Sequence, residues 1–193
     1  TVYRLGSISK PITAVAVMQL VERGRVDLDA PIQRYVPTFP AKAWPITPRL
    51  LLAHQAGVRH YRPGEIGSTR HYSGVLEALD IFANDPLLHE PGTKYLYSTY
   101  GYGLLGAAVE GASGVRFLDF LKENVFDPAG MDRIRPDDVA EIIPNRAQGY
   151  RKLANGDIRN SILADTSNKI PGGGLCSTVE DLARFAIAIQ GNT

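Results

Sequence analysis

Apolar residues run almost without interruption from position 11 to position 21, in the stretch PITAVAVMQLV. A helix that is apolar on nearly every side is typical of a protein core, whereas a surface helix has one apolar face. Gly24 follows this stretch and is suited to the end of a helix. The pattern therefore predicts a buried helix that opens near Ser7 and closes at Gly24. Pro11 disfavours helical backbone angles at the residue before it, so we expect the first turn to be irregular or 3₁₀.

Six further helices are predicted from capping residues, helix-ending Gly or Pro residues and apolar spacing. They cover residues 30–35 after an Asp29 cap, 49–55 after Thr47-Pro48, 75–83, a segment from a Ser98 or Thr99 cap to about residue 112, 115–125, and 179–190 after a capping box at 177–180. Residues 147–153 and 158–161 are predicted to form two strands around Asn155-Gly156, the strongest short hairpin signal. Residues 58–73 show no periodicity, so we expect a surface loop beside a cleft.

The composition indicates one domain or part of one. The chain has 193 residues, with 21 basic and 20 acidic side chains spread along it, so no feature favours nucleic acid or an anionic membrane as a partner. No apolar run reaches the roughly 20 residues that a membrane-spanning helix needs. The lone Cys176 excludes an internal disulfide and is expected to be a small buried hydrophobe. No segment of signal-peptide type precedes Ser7, and we expect the sequence to be a piece of a longer chain.

Ser7 and Lys10 form an S-x-x-K motif at the start of the predicted core helix. Residues three positions apart lie on the same face of a helix, so the Lys10 amine can reach the Ser7 hydroxyl. A lysine among apolar side chains can be neutral enough to take the serine proton, which would make Ser7 a nucleophile. The motif is weak by itself, because a solvated Lys10 on the first turn is the simple alternative.

Tyr97 and His54 are two further candidates for acid–base chemistry. Tyr97 lies just ahead of the helix that Ser98 or Thr99 begins, where the helix dipole would favour a phenolate. The alternative is a packing role, which is usual for tyrosines in extended stretches. His54 lies at the end of the 49–55 helix. There, a cation on the helix dipole or a hydrogen-bonded structural histidine is favoured over a general base.

No metal site and no cofactor are expected. His60, His71 and His89 do not have the spacing of metal ligands, and the sequence has neither an H-E-x-x-H motif nor a pair of cysteines. Residues 171–174, PGGG, are similar to the glycine run of lipase oxyanion holes. No G-x-S-x-G motif accompanies them, which disfavours an α/β-hydrolase. We expect these glycines to let the backbone pass close to another element or to a ligand.

The order and spacing of these motifs resemble the serine β-lactamase and penicillin-binding-protein superfamily, and within it the class C-like branch. The resemblance rests on Ser7-Ile8-Ser9-Lys10-Pro11, the helix from Thr47 to Gly57 with His54, Pro91-Gly92, Tyr97-Ser98-Thr99, residues 101–106, and Gly172-Gly173-Gly174-Leu175 before Ser177-Thr178. Within this branch the chain is most similar to the mitochondrial serine β-lactamase-like proteins and their bacterial relatives. The resemblance implies an α+β fold of the β-lactamase and transpeptidase type. We expect residues 1–193 to be part of such a domain, mostly helical with a small hairpin at about 147–161, and the main antiparallel sheet to lie largely outside this sequence.

The resemblance also implies an acyl-enzyme mechanism. Ser7 would attack an amide, ester or β-lactam carbonyl while Lys10 and Tyr97 share the proton transfer, and which of the two is the base stays open. Thr99 is the implied substrate-binding residue, at a position where the family usually has Asn. Its hydroxyl offers a single donor and a shorter reach. The family's third motif, Lys or His followed by any residue and Gly on a C-terminal strand, is absent from residues 1–193.

The implied activity is that of a peptidase, an esterase or a weak β-lactamase without a cofactor. Its partner would be a small molecule or peptide with an amide or ester carbonyl, and a homo-oligomer is compatible with the resemblance. The implied compartment is periplasmic, extracellular or mitochondrial. The alternative, which Thr99 favours, is a catalytically weak or inactive member with a structural or self-assembly role.

Overall fold

The α1 helix, Ser9–Glu22, lies at the centre of the computed structural model, which describes residues 1–191. A 3₁₀ turn at Gly6–Ile8 leads into α1, and Gly24 follows it in the left-handed conformation at φ 65°. Four of its apolar side chains are at most 2% exposed: Ile12, Ala16, Val17 and Leu20. The predicted core helix and its irregular first turn are therefore confirmed.

Seven helices and five short strands make up the described part of the chain. After α1, the helices are α2 (Pro48–Leu52), α3 (Val75–Ala78), α4 (Thr99–Ser113), α5 (Phe117–Leu121), α6 (Ile170–Gly173) and α7 (Val179–Gln190). The strands are β1 (Tyr3–Arg4), β2 (Arg135–Pro136), β3 (Tyr150–Lys152), β4 (Ile158–Asn160) and β5 (Leu175–Ser177). Single 3₁₀ turns occur at Ile32–Arg34, Leu79–Ile81 and Ser167–Lys169, and a π turn at Lys122–Phe126 continues α5.

Helix α4 packs against both α1 and α6 and is buried along nearly its whole length. The Ser98 hydroxyl caps α4 by accepting a hydrogen bond from the backbone N–H of Gly101, and Gly114 ends it in the left-handed conformation. Both ends agree with the prediction. In its last turns, Gly111 lies against the carbonyl oxygen of Tyr35, so close that an added Cβ would be 1.7 Å from that oxygen. Glycine is therefore required for this contact.

The strands form two separate antiparallel sheets. One has the order β1-β5-β2, with Cys176 of β5 opposite both Arg4 and Arg135. The other is the predicted hairpin of β3 and β4, with Gly156 at φ 90° in its turn. The three-stranded sheet was not predicted, because strands of two or three residues are too short to show alternation. The architecture is the mostly helical α+β fold with a small hairpin that the sequence indicates.

The side chain of Asp29 has a different partner from the one predicted. Its carboxylate binds Nε and Nη2 of Arg49, each at 2.7 Å, and only the 3₁₀ turn at Ile32–Arg34 follows it. The predicted helix over 30–35 is therefore wrong. The Asp29 carboxylate, which would have capped that helix, instead forms an ion pair with Arg49, 20 positions along the chain.

Helix α5 starts two residues later than predicted, whereas α7 starts at Val179 as predicted but with a different cap. Helix α5 begins at Phe117, because Glu110 of α4 accepts the Phe117 backbone N–H at 2.7 Å and so supplies a cap from outside the segment. Helix α7 is capped by Thr178, and Ser177 instead ends strand β5. Within residues 1–191, no helix has the length and apolar character needed to cross a membrane.

Candidate active site

The structure brings the side chains of Ser7, Lys10 and Tyr97 into contact. Ser7 lies in the 3₁₀ turn ahead of α1, Lys10 lies in the first turn of α1, and Tyr97 directly precedes the Ser98 cap of α4. The Tyr97 hydroxyl is 2.6 Å from Ser7 Oγ, and Lys10 Nζ is 3.1 Å from the same atom. Ser7 is exposed, whereas Lys10 is only 5% exposed. A hydroxyl open to solvent therefore contacts both a phenol and a buried amine.

The amine of Lys10 has three hydrogen-bond acceptors. Besides Ser7 Oγ, its Nζ lies 3.2 Å from Thr99 Oγ1 and 2.5 Å from the carbonyl oxygen of Gly172. Burial lowers the pKa of Lys10, while the neighbouring Tyr97 acts in the opposite direction. The alternative of a solvated Lys10 on the helix surface is wrong.

The phenol of Tyr97 lies against the Lys10 amine, whose Nζ is 4.7 Å from the ring centre. Desolvation raises the pKa of Tyr97, but hydrogen bonding with Lys10 and Ser7 and the Lys10 charge outweigh it. The net pKa of the phenol is below its ordinary value. The α4 helix begins two residues later, and its dipole favours the same direction. The phenol is therefore suited to accept a proton from Ser7.

The glycine run at residues 171–174 passes close to the start of α4. A Cβ on Gly172 would lie 2.6 Å from Thr99 Cγ2 and 2.8 Å from the Thr99 carbonyl oxygen. The prediction that these glycines allow a close backbone approach is confirmed, and the element approached is α4. The Thr99 hydroxyl faces Lys10 at the edge of the site, and its part in substrate binding stays a prediction.

Two histidines lie against Tyr97. The backbone N–H of Ser98 donates to His54 Nδ1 at 3.1 Å, and the backbone N–H of Thr99 donates to His60 Nδ1 at 3.2 Å. Their ring centres lie 4.5 Å and 5.4 Å from that of Tyr97. His54 is thus the hydrogen-bonded histidine that the sequence favours over a general base. His60 could not be selected from the sequence, because the aperiodic loop around it carries no local signal of what its side chain contacts.

The loop that carries His60 is anchored by the buried Arg59. All five N–H groups of its guanidinium have acceptors: Nε donates to Asp85, Nη1 to Glu65 and the His60 carbonyl, and Nη2 to Glu65 and the Ile81 carbonyl. Arg59 is 6% exposed, so the first part of the predicted surface loop is in fact buried.

The rings of the other two histidines, His71 and His89, each have one hydrogen-bond partner among residues 1–191. His71 Nδ1 lies 3.0 Å from Asp165 Oδ2, and His89 Nδ1 lies 2.9 Å from the Glu90 carbonyl oxygen. Across residues 1–191, no group of three or more His, Cys, Asp or Glu side chains is arranged to hold a metal ion.

Comparison with known proteins identifies the family. The Beta-lactamase family model matches residues 1–193. The chain is 31% identical over 258 residues to the mitochondrial serine beta-lactamase-like protein LACTB of Homo sapiens, which covers 98% of this chain and 47% of that protein. It is 33% identical over 147 residues to the esterase EstB of Burkholderia gladioli, with 68% and 37% covered. The solved octameric penicillin-binding protein homologue from Pyrococcus abyssi matches with a TM-score of 0.80 at 28% identity, over 100% of this chain and 46% of that chain.

The chain spans about half the length, or less, of these relatives. Its fold is nevertheless that of the penicillin-binding-protein homologue, because the structural match covers 100% of this chain. The strands and helices around Ser7 therefore lie within the matched region. Because the family match covers residues 1–193 and the fold agrees with a solved relative, the chain belongs to the Beta-lactamase family.

Proposed function

We propose that the full-length protein is a serine hydrolase that forms an acyl-enzyme on Ser7. The observation that carries the proposal is the pair of contacts at Ser7 Oγ, 2.6 Å to the Tyr97 phenol and 3.1 Å to Lys10 Nζ. A serine needs an adjacent base to become a nucleophile, and both groups are within hydrogen-bond reach. The substrate is a small molecule or peptide with an amide or ester carbonyl, and β-lactams are weak substrates.

In this proposal Tyr97 accepts the proton of the Ser7 hydroxyl, and Lys10 stabilises the phenolate form of Tyr97. The Ser7 proton moves to the Tyr97 oxygen as Ser7 Oγ bonds to the carbonyl carbon. Tyr97 then returns the proton to the leaving nitrogen or oxygen as its bond to carbon breaks, and water hydrolyses the acyl-enzyme. The pKa values of both groups are lowered, and the shorter contact of Ser7 Oγ with Tyr97 supports this assignment over Lys10 as the base.

The backbone N–H of Ser7 is the proposed oxyanion donor. Ser7 lies in the helical turn that leads into α1, and a positioned backbone donor typically contributes about 3 kcal/mol of transition-state stabilisation. We assign Thr99 to substrate binding, because the amine of Lys10 hydrogen-bonds to both the Thr99 hydroxyl and the Ser7 hydroxyl.

Active-site labelling tests the proposal. A fluorophosphonate probe and a labelled penicillin are incubated with the full-length protein, and the modified peptide is identified by mass spectrometry. We expect the fluorophosphonate on Ser7 of the native protein, weaker labelling by penicillin, and none on Ser7→Ala. The exposed Ser161, away from the site, gives the matched control Ser161→Ala, which should label like the native protein. A folded native protein that takes up neither probe would contradict the proposal.

A second candidate is a weakly active member with a structural, self-assembling role. Thr99 supports it, because a residue with one short donor stands where the family usually has Asn. The octameric relative from Pyrococcus abyssi supports a homo-oligomer. If Ser7→Ala leaves both the oligomer, measured by light scattering, and the cellular role unchanged, this candidate replaces the first.

We also propose that residues 1–193 are part of one β-lactamase-like domain whose remainder comes from outside this sequence. The full match of this chain to 46% of the solved homologue supports that division. Limited proteolysis of the full-length protein tests it, because a single domain should give no stable fragment that ends near residue 193.

A further inference from the structure

His54 holds the backbone on both sides of Tyr97. Its carbonyl oxygen accepts the backbone N–H of Leu96 at 2.7 Å, and its Nδ1 atom accepts the backbone N–H of Ser98 at 3.1 Å. The backbone of His54 is in the left-handed region at φ 56°, a conformation that Asn, Asp and His tolerate better than other side chains. Its ring centre is 4.5 Å from that of Tyr97. One residue thus fixes the neighbours of the tyrosine and contacts its ring.

His60 makes the same kind of contact one residue further along. Its Nδ1 accepts the backbone N–H of Thr99 at 3.2 Å, and its ring meets the Tyr97 ring edge-on, at 82° and 5.4 Å between centres. The carbonyl oxygen of His60 accepts Arg59 Nη1 at 2.9 Å, so the buried guanidinium fixes the residue from its backbone side.

The partners of the two histidines determine their protonation. A backbone N–H can only donate, so each ring presents an unprotonated Nδ1 and carries its proton on Nε2. Burial lowers the pKa of both rings and the Lys10 charge lowers it further, while Glu65 opposes this at His60. Because each Nδ1 accepts a hydrogen bond and so carries no proton, both rings are neutral in this arrangement.

We propose that His54 and His60 are positioning residues for Tyr97 and take no part in proton transfer during the reaction. Their Nδ1 atoms orient the turn that leads from Tyr97 into α4 and so keep the phenol within 2.6 Å of Ser7 Oγ. The inference rests on the proposed hydrolase function, because the quantity that the histidines control is the rate of acylation at Ser7. The competing role is a proton relay through Nε2.

Asparagine and glutamine variants separate the two roles most directly at His60, because at His54 the left-handed backbone itself favours Asn over Gln. The Asn side-chain oxygen occupies the place of Nδ1 and keeps the acceptor, whereas the longer Gln side chain carries its amide toward the place of Nε2. A positioning role predicts that Asn rescues each site and Gln does not. A relay through Nε2 predicts the reverse order, because only Gln keeps a polar group there.

The difference between the Asn and Gln variants is measured as the rate of acylation of the full-length protein by a p-nitrophenyl ester. His54→Asn and His60→Asn should stay within about threefold of the native rate, and His54→Gln and His60→Gln should lose about tenfold or more, with KM nearly unchanged. His89→Asn and His89→Gln are the matched controls, because the His89 ring hydrogen-bonds with the neighbouring Glu90 carbonyl and not with the turn at Tyr97, and both should acylate at the native rate. A higher rate for Gln than for Asn, or an equal loss in both with native thermal unfolding, overturns the proposal.

A spectroscopic readout does not depend on activity or on the variants folding. In the native protein labelled with ¹⁵N-histidine, two-bond ¹H–¹⁵N correlations should show both residues as neutral Nε2–H tautomers at pH 7. A charged ring or an Nδ1–H tautomer at either site overturns the proposal. Native protein that fails to acylate at Ser7 removes the hydrolase function and the positioning role together. Acylation with the wrong tautomers removes the positioning role alone.

Discussion

The Nζ atom of Lys10 lies 2.5 Å from the carbonyl oxygen of Gly172, 162 positions further along the chain. On the next turn of α1, the hydroxyl of Thr13 donates to the carbonyl oxygen of Pro171 at 2.7 Å. Two consecutive carbonyls of α6 thus accept hydrogen bonds from α1. A carbonyl can only accept, so Lys10 must direct an N–H toward Gly172. This contact orients the amine that lies beside Ser7.

Replacing Gly172 by alanine should disturb the packing of α6 against α4 and destabilise the fold. The new Cβ would be 2.6 Å from Thr99 Cγ2 and 2.8 Å from the Thr99 carbonyl oxygen, so α4 and α6 must separate. We expect Gly172→Ala to lower the free energy of unfolding by about 1 to 3 kcal/mol. Gly173→Ala is the matched control, because its Cβ would meet Gly6 at 3.6 Å, an ordinary contact, and should cost less than about 1 kcal/mol. Urea unfolding of the two variants gives the comparison, and equal losses would contradict the argument.

The ionisation of Tyr97 should depend on Lys10. Hydrogen bonding with Lys10 and Ser7 outweighs desolvation and lowers the pKa of the phenol. Lys10→Met removes the largest of the lowering effects and leaves the desolvation, so the pKa of Tyr97 should rise above that of the native protein. The acylation rate of the native protein should correspondingly increase with pH until Tyr97 is ionised.

NMR titration of proteins labelled with [¹³Cζ]-tyrosine measures that pKa, with Tyr97→Phe to assign the signal. Lys122→Met is the control, because Lys122 lies on the surface and pairs with Asp127. An unchanged or lower pKa of Tyr97 in Lys10→Met would show that Lys10 does not tune the phenol.

Features with local signals could be predicted from the sequence. The apolar stretch of α1, the Ser98 cap of α4 and its end at Gly114 each depend on residues that are neighbours in the chain. The approach of Lys10 to Ser7 is also local, since one helical turn separates them. Contact with Tyr97, 90 residues away, was expected only from the family resemblance.

Features that depend on distant partners could not be predicted. Gly172 accepts a hydrogen bond from Lys10 through its backbone carbonyl. Every residue type has this carbonyl, so the sequence does not indicate the contact. Arg59 lies in the predicted surface loop, but it is buried and hydrogen-bonds to the carboxylates of Glu65 and Asp85, which follow it in the chain. Asp29 had the right position for a cap, but the bidentate ion pair with Arg49 determined its contacts.

Arg59 should contribute far more to stability than a surface arginine. Its side chain is 7% exposed and pairs with Glu65 and Asp85. Arg59→Met therefore leaves Glu65 without its cation and Asp85 with the more exposed Arg62 as its remaining ion-pair partner within the described residues. We expect a loss of about 3 kcal/mol or more. Arg116→Met is the control, because Arg116 is 84% exposed and its pair with Asp119 should contribute less than about 1 kcal/mol.

The same contacts predict the acid dependence of stability. Desolvation raises the pKa values of Glu65 and Asp85, but Arg59, together with hydrogen bonds from Arg62 and Tyr100 and the Arg62 charge, outweighs it and both pKa values are lowered. Carboxyls with a lower pKa in the folded state stabilise it at neutral pH, and this stabilisation is lost as the pH falls through the lowered values. Urea unfolding from pH 7 to pH 3 should therefore show a steeper loss for the native protein than for Arg59→Met. Parallel curves would contradict this account.

Two glycines of α4 should respond to alanine with opposite signs. Gly111→Ala places a Cβ 1.7 Å from the Tyr35 carbonyl oxygen, and backbone cannot move as a side chain does. We expect a loss of about 3 kcal/mol or more, at the upper end of the cost of overpacking. Gly103 on the same helix has no atom within 4 Å of an added Cβ, so Gly103→Ala should gain about 0.5 to 1 kcal/mol from the reduced freedom of the unfolded chain. Thermal unfolding of both variants tests the pair. A neutral Gly111→Ala would mean that the chain around Tyr35 packs less closely on α4 than the structure shows.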